Sequence, residues 1–337
     1  MSQMRAILVK NGAGPIENLI LGETPKPKPS PTEVLVKIKA FGLNRMDHLQ
    51  REGRYPVPPG ASQILGVEFS GHVAELGSEV SQWKINDEVF GLASGGAYAE
   101  YITVPQSHIM PKPPHLSWVQ AASIPEVWLT AFQALVVVGR VKAGEDVLVH
   151  TGASGVGVAA NQLARFFGAK TVFTTASTQE KLDFLRNMPD GGLSATHTIN
   201  YKTQDFEQEV KKATNGKGVD VLIDFVGQSH WTKNISTLAV DGRMTMLALL
   251  SGADVSNFNL APILYKRLHI EGSTLRARSV QYQSELIIRF KNEVLPALVD
   301  GKLKTYIHKV YPWTEIQEAH REMAADRNIG KIIVEVV

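Results

Sequence analysis

The stretch EDVLVHTGASGVGVAANQLARFFGAK, Glu145–Lys170, decides the fold. It opens on Val147-Leu148-Val149, an apolar run that reads as a short strand buried on both faces. Gly152, Gly155 and Gly157 follow, and then Val156, Ala159, Ala160, Leu163 and Phe167 fall on one face of a helix. Gly168 stops that helix, and Lys170–Thr175 reads as a second strand. Strand, glycine turn, helix and strand make the first βαβ unit of a dinucleotide-binding fold. Gly155 to Ala160 fits G-x-G-x-x-A. A β-carbon in such a turn keeps the backbone from a pyrophosphate, whose charge suits a helix N-terminus.

Around this unit the chain has two rhythms. Up to about Ile124 it is β-rich: Met4–Val9, Val34–Ala40, Leu65–Val73, Glu88–Leu92 and Tyr98–Val104 are short strands separated by turn residues. A helix is expected after Gly42-Leu-Asn44-Arg-Met-Asp47, ending at Gly53-Arg-Tyr55-Pro56. Such content predicts a partly open barrel. From Pro125 a helical segment, Trp128–Val138, leads into six strands with helices between them. These are Val147–His150, Thr171–Thr175, His197–Asn200, Val219–Phe225, Arg243–Leu249 and Leu268–Glu271, the content of a doubly wound parallel sheet. Helices near Ser279–Asp300 and Thr314–Ala325 and a strand over Lys331–Val337 return to the first rhythm. The expected organisation is a discontinuous catalytic domain, 1–124 and 273–337, into which a dinucleotide-binding domain, 125–272, is inserted.

Composition narrows the function. The 337 residues carry a net charge of +2, which gives no reason to invoke nucleic acid or an anionic membrane. With no cysteine, disulfide, zinc-thiolate and cysteine-nucleophile chemistry are excluded. No run approaches membrane-spanning length and MSQMRAILVK lacks a signal-peptide core, so the expectation is a soluble, cytoplasmic protein.

The second strand of the nucleotide domain ends at Thr174-Thr175-Ala176-Ser177-Thr178, without the acid that accepts from the ribose hydroxyls of NAD. Ser177 and Thr178, with Lys181 one turn on, suit a 2′-phosphate and point to NADPH. The alternative for these residues is a helix cap followed by a solvated lysine.

Several long blocks in the same order resemble the medium-chain dehydrogenases/reductases, and specifically their zinc-free quinone oxidoreductase branch. They are Gly42–Asp47, PPGASQILGVEFSGHVAELG (Pro58–Gly77), IPEVWLTAFQAL (Ile124–Leu135), the glycine turn and EIQEAHREMAADRNIGKIIVEV near the C-terminus. The resemblance implies a GroES-like catalytic domain beside a Rossmann domain. Where zinc-dependent members have a cysteine ligand this chain has Asn44, and their Gly-His-Glu is Gly66-Val67-Glu68. His72, His108 and His320 are expected at the surface or core edge. No metal is expected, so alcohol oxidation gives way to acceptors that need no Lewis acid.

The resemblance also implies site residues. Tyr55 orients the substrate or delivers a proton; its alternative is a loop aromatic packed on proline. Trp128 walls the substrate pocket or anchors its helix. Cofactor contacts are implied at Asn44, Thr130, Gly152, Ser154, Gly155, Val156, Gly157, Ser177, Thr178, Lys181 and Tyr201. Further ones are implied at Phe225, Leu249, Ser251, Ser273, Leu275, Arg276, Asn328 and Lys331. The expected activity is NADPH-dependent reduction of a small quinone or enone by a homodimer. Reduction of 2-alkenals or enoyl-thioesters is the alternative, for which Lys266-Arg267, Arg276 and Arg278 offer a basic entrance. A non-enzymatic nucleotide-binding or crystallin-like role is the remaining class.

Overall fold

The computed structural model describes residues 2–337. The chain opens with seven strands: β1 (Gln3–Val9), β2 (Leu19–Pro25), β3 (Glu33–Gly42), β4 (Glu68–Leu76), β5 (Glu88–Leu92), β6 (Tyr101–Pro105) and β7 (Ile109–Pro111). Six follow: β8 (Asp146–Val149), β9 (Thr171–Ala176), β10 (His197–Asn200), β11 (Val219–Asp224), β12 (Leu238–Met246) and β13 (His269–Gly272). The chain closes with β14 (Ile307–Pro312) and β15 (Lys331–Glu335). Two compact units result: Met1–Leu129 with Leu275–Leu295 and Thr305–Val337, and Thr130–Thr274 with Pro296–Lys304.

In the first unit β1 and β2 form an antiparallel hairpin, and a seven-stranded sheet runs β14-β15-β3-β4-β5-β7 with β6 also on β3. This is the GroES-like domain. Alternation along β3, with Val34, Val36 and Ile38 facing in, sets its register against β4 and β6. Phe41, Phe69, Tyr98 and Trp313 are the largest side chains of its core. The 3₁₀ turn Trp313–Glu315 and the helix Ile316–Ala324 bring the C-terminal segment onto that core. Gly66 takes φ +91, and a β-carbon there would stand 2.4 Å from the Tyr98 ring, so only glycine fits.

The second unit is a six-stranded sheet of order β10-β9-β8-β11-β12-β13, all pairs parallel. That is the doubly wound arrangement, with the order reversing at β8. Leu148, Phe173, Ile199, Leu222 and Met244 from five of the strands meet Phe206, Val210 and Ile235 in one core.

Several boundaries differ from the sequence reading. The strand expected over Arg243–Leu249 runs over Leu238–Met246, leaving Leu249 in the following loop. The helix expected over Trp128–Val138 is α-helical over Pro125–Phe132 and continues as a π-helix over Gln133–Val138. The single helix expected over Ser279–Asp300 is two, Val280–Glu293 and Leu295–Val299. β2, β7 and β14 were not foreseen.

Trp313 fixes the C-terminal segment to the first unit. Trp313→Ala should cost about 3–5 kcal/mol in urea denaturation. A cost below about 1 kcal/mol would show that this segment is not part of that core.

Candidate active site

Three chemical groupings stand out, two in the first unit and one in the second. The first begins at α1 (Arg45–Arg51), capped by Asn44 and Asp47 in a capping box. Asn44 N–H donates to Asp47 Oδ2 at 2.8 Å, and Gly66 N–H donates to Oδ1 at 3.3 Å. Asn44 Nδ2 donates to Glu68 Oε1 at 2.9 Å, while Lys331 Nζ donates to Asn44 Oδ1 at 2.9 Å and to Glu68 Oε1 at 2.6 Å. Lys331 also donates to the Leu43 carbonyl at 2.5 Å, so all three of its protons are used. Glu68 Oε2 accepts from Glu126 N–H at 2.8 Å, in the first turn of the helix Pro125–Phe132, where a negative charge is favoured.

Asp47, Glu68 and Glu126 thus share a buried region with Lys331, Arg276 and Tyr55. Burial pushes the Glu126 carboxyl up to about 8, with the nearby Glu68 adding to it. Burial likewise raises Asp47 to about 6, against the lowering effect of its bonds from Asn44 and Tyr98. Tyr55 is raised too, by burial and then by Glu126, so its hydroxyl keeps its proton at neutral pH. Its ring centroid lies 5.6 Å from the Arg276 guanidinium carbon.

A second grouping backs the first. Arg51 Nη1 lies 3.3 Å from His320 Nδ1; arginine only donates, so Nδ1 accepts. His320 Nε2 then donates to the Tyr98 oxygen at 3.2 Å, and Tyr98 donates to Asp47 Oδ2 at 3.1 Å. His320 also stacks on His48 at 4.5 Å. Burial holds His48 near 3 and His320 well below its usual range, so both rings are neutral. The expectation of surface or core-edge histidines is corrected for His108 and His320, which are fully buried; His72 is half-exposed.

The third grouping is the glycine turn. Ser154 Oγ accepts from Gly157 N–H at 3.0 Å and caps α2 (Gly155–Phe166). A β-carbon on Gly152 would stand 1.8 Å from Thr174 Oγ1, and one on Gly157 would stand 2.4 Å from the Thr151 carbonyl. The glycines are therefore required by strand–helix packing itself, a different reason from ligand access. Asn161 Nδ2 ties the Gly152 carbonyl and Thr174 Oγ1 together from α2. Thr151 sits at φ +49, strained for a β-branched residue, and its Oγ1 is buried without a hydrogen-bond partner. A strained turn, an orphaned hydroxyl and a helix N-terminus at the end of β8 fit the pyrophosphate of a dinucleotide.

The other expected residues are distributed as follows. Phe225, Leu249, Ser251 and Ser273 follow the C-terminal ends of parallel strands in the second unit. Thr178 caps the helix Gln179–Arg186 by accepting from Lys181 N–H, so the cap alternative holds for its side chain. Tyr201 is exposed and lies edge-on to His230 at 6.2 Å. Asn44, Leu275, Arg276, Asn328 and Lys331 belong to the first unit and Thr130 to the second. Asn328 donates to the Gly330 carbonyl, and Trp128 is buried. Of the residues expected to offer a basic entrance, Lys266 and Arg267 belong to the second unit and Arg276 and Arg278 to the first. Lys266 donates to the Ile235, Ser236 and Leu238 carbonyls, Arg267 pairs with Asp241, and Arg276 is buried. Sequence reasoning missed Glu126, Gln50, Thr151 and Asn161; a first-turn acid after proline was the only signal for Glu126.

Comparison with known proteins fits this geometry. Family models described as alcohol dehydrogenase GroES-like domain and zinc-binding dehydrogenase match residues 30–114 and 155–290. The synaptic vesicle membrane protein VAT-1 homolog of Rattus norvegicus is 30% identical over 97% of this chain and 83% of its own length. The chain belongs to the medium-chain dehydrogenase/reductase superfamily. The VAT-1 homolog of Danio rerio is 32% identical, and the chain spans 65% of its length. The quinone oxidoreductase of Pseudomonas syringae pv. Tomato DC3000 superposes with a TM-score of 0.85 at 30% identity, over 99% of this chain and 100% of that one. CurK enoyl reductase gives 0.84 at 30%, over 99% of each chain. An NAD-dependent alcohol dehydrogenase gives 0.85 at 32%, over 99% of this chain and 100% of that one. The protein is an oxidoreductase of this superfamily, and its members bind a nicotinamide cofactor.

Two outcomes follow from the charge cluster. Lys331→Met leaves Glu68 buried without its ammonium and should cost about 3–5 kcal/mol, part of it recovered in Glu68→Gln/Lys331→Met. An unchanged urea midpoint in the single variant would contradict this. Asp47 and Glu126 both stand above their ordinary values of 3.8 and 4.5. Each therefore adds stability that is complete below its ordinary value and lost as pH rises through about 6 for Asp47 and about 8 for Glu126. Glu126→Gln should flatten the fall in Tm between about pH 6 and 8, above the range in which Asp47 contributes. Parallel Tm curves for variant and wild type would refute the raised Glu126.

Proposed function

We propose that this protein is an NADPH-dependent, metal-independent reductase of quinones and related electron-poor acceptors, in the zinc-free quinone oxidoreductase branch, acting as a cytoplasmic homodimer. The observation that carries the reading is the Lys331 ammonium bonded to Asn44 and Glu68. A fixed cation of the chain's own stands among the groups where zinc-dependent relatives have ligands, and it would repel a second cation. Chemistry there has to proceed with hydrogen-bond donors and proton carriers.

NADPH, when bound, supplies the hydride. The Gly152–Gly157 turn and the N-terminus of α2 would hold its pyrophosphate, with Thr151 Oγ1 as a spare hydrogen-bonding group. Ser177, Thr178, Lys181 and Tyr201 are proposed for the 2′-phosphate, and no acid follows β9 to favour NADH. Asn44 is held rigidly by Lys331, Glu68 and Asp47, which makes it a positioned amide rather than a mobile one. Tyr55, protonated at neutral pH, would orient the acceptor or pass a proton to it. Reduction of an enoyl-thioester uses the same geometry and is favoured by the likeness to CurK enoyl reductase. The dimer is proposed from β13, the edge strand of the sheet, and from exposed Leu250, Leu260, Leu264 and Tyr265 in the preceding segment.

NADPH oxidation against a panel of quinones, enals and enoyl-thioesters tests the activity, with turnover unchanged after dialysis against a strong chelator. Stoichiometric zinc in the active protein would overturn the metal-independent reading. Lys181→Ala should weaken NADPH by about 1–3 kcal/mol and leave NADH nearly unchanged. Equal losses for both cofactors would sink the NADPH assignment. Sedimentation at micromolar concentration should give a dimer; a monomer would contradict that part.

A further inference from the structure

Arg276 is 3% exposed, and two of its nitrogens are fixed. Nε donates to the Ser94 carbonyl at 2.8 Å, and Nη1 donates to Gln50 Oε1 at 2.7 Å. Gln50 is itself held, its Nε2 donating to the Gln63 carbonyl at 3.1 Å. Both acceptors on Arg276 are neutral, so these bonds do not cancel its charge. The third nitrogen, Nη2, is buried and donates to nothing among the described residues.

A buried charged donor left without an acceptor is costly, and such groups mark places that a ligand completes. The surroundings agree. Gly95, at φ +149, lies beside Nη2, and a β-carbon there would come within 3.2 Å of it and 2.7 Å of the Ser62 carbonyl. Glycine keeps that side open. The Tyr55 ring lies over the guanidinium and is only half-buried, in a loop whose neighbours are largely exposed. The nearest acids do not quench the donor. Asp47 spends its oxygens on Asn44 N–H, Gly66 N–H and Tyr98, and burial keeps Glu126 protonated at neutral pH.

We propose that Arg276 Nη2 donates to the carbonyl oxygen of the acceptor being reduced, with the Tyr55 ring as the cover that moves aside. This rests on the reductase reading above. It gives Arg276 a role toward the acceptor, in place of the cofactor contact that the family resemblance implies. For an enone, the C–H bond of a bound reduced nicotinamide would break with its electron pair, leaving the oxidised ring, as a C–H bond forms at the β-carbon. The C=C π pair shifts to the bond between the α-carbon and the carbonyl carbon, and the C=O π pair moves onto oxygen. Arg276 stabilises the resulting enolate by a charge-assisted bond that is stronger than its bond to the neutral carbonyl. A proton from Tyr55 or water on the α-carbon then restores the carbonyl. For a quinone the hydride bonds to the far carbonyl oxygen, the π electrons shift to make the ring aromatic, and the pair that arrives on the oxygen held by Arg276 stays there and takes a proton, giving the hydroquinone. The consequence is specificity for acceptors whose charge develops on a carbonyl oxygen.

The test pairs turnover with a binding measurement that needs no reaction. A nitrophenol serves as the enolate mimic, its ionisation read from absorbance when mixed with wild type, Arg276→Gln and Arg276→Lys. Wild type should hold it as the phenolate with a lowered apparent pKa. Arg276→Gln should lose that shift and lower kcat/KM on an enone by about 10²-fold or more, with the Kd for NADPH within about twofold. Arg276→Lys should recover part of both. Thermal melts establish that the variants are folded, so a phenolate shift that persists in folded Arg276→Gln overturns the proposal. A loss matched by weaker NADPH binding returns Arg276 to the cofactor and also overturns it. If wild type reduces no acceptor, the reductase reading fails, and a phenolate shift absent from wild type refutes the donor site separately.

Discussion

The buried contact between Lys331 and Glu68 is the constraint on which the first unit's site depends. Lys331 opens the last strand and Glu68 opens β4, and Asn44 between them caps α1. Their bonds draw three segments far apart in sequence to one point. A buried ion pair contributes little net stability against an apolar substitute, yet removing one partner is severe. Its value here is positional. The ammonium spends every proton on fixed acceptors, and Glu68 spends both oxygens on Lys331, Asn44 and the backbone of Glu126. An amide at Asn44 and a helix start at Pro125 are thereby locked together.

Charge balance follows from this arrangement. Asp47, Glu68 and Glu126 are three buried carboxyl groups gathered with two cations, Lys331 and Arg276. Burial penalises the excess negative charge, and it is relieved by a proton held on Glu126. The chain Arg51 to His320 to Tyr98 to Asp47 runs in one donor direction and fixes Asp47 from behind. The result is a site rich in held donors and retained protons. On the proposed reading, that is what an electron-poor carbonyl needs as it takes up hydride.

The second unit was legible because its signals are local. Val147–Val149 is apolar throughout, the glycines crowd one turn, and the helix after them is amphipathic. β12 was misplaced because its first residues follow the helix Trp231–Thr237 without a break, and Asp241 at φ +61 interrupts its pattern. β2 and β14 carry glycine, proline and half-exposed positions, so neither alternates cleanly. Tyr55, Asn44 and Lys331 came from likeness to a family rather than from any pattern. The bonds that define the site, Asp47 to Gly66 or Glu126 to Glu68, join residues whose proximity no spacing encodes. The glycine turn teaches the same lesson. The turn lies between strand and helix as the sequence indicates, but the atoms that forbid a β-carbon belong to Thr174 and Thr151.

Hydride delivery itself is the most direct measurement of the central claim. NADPH carrying deuterium at the transferable C4 position is mixed with the protein and an enone under chelator, and the product is examined by mass spectrometry and NMR. One deuterium is expected on the β-carbon of the saturated ketone, with an unlabelled proton at the α-carbon. A product without deuterium, or no product unless metal is restored, would contradict it.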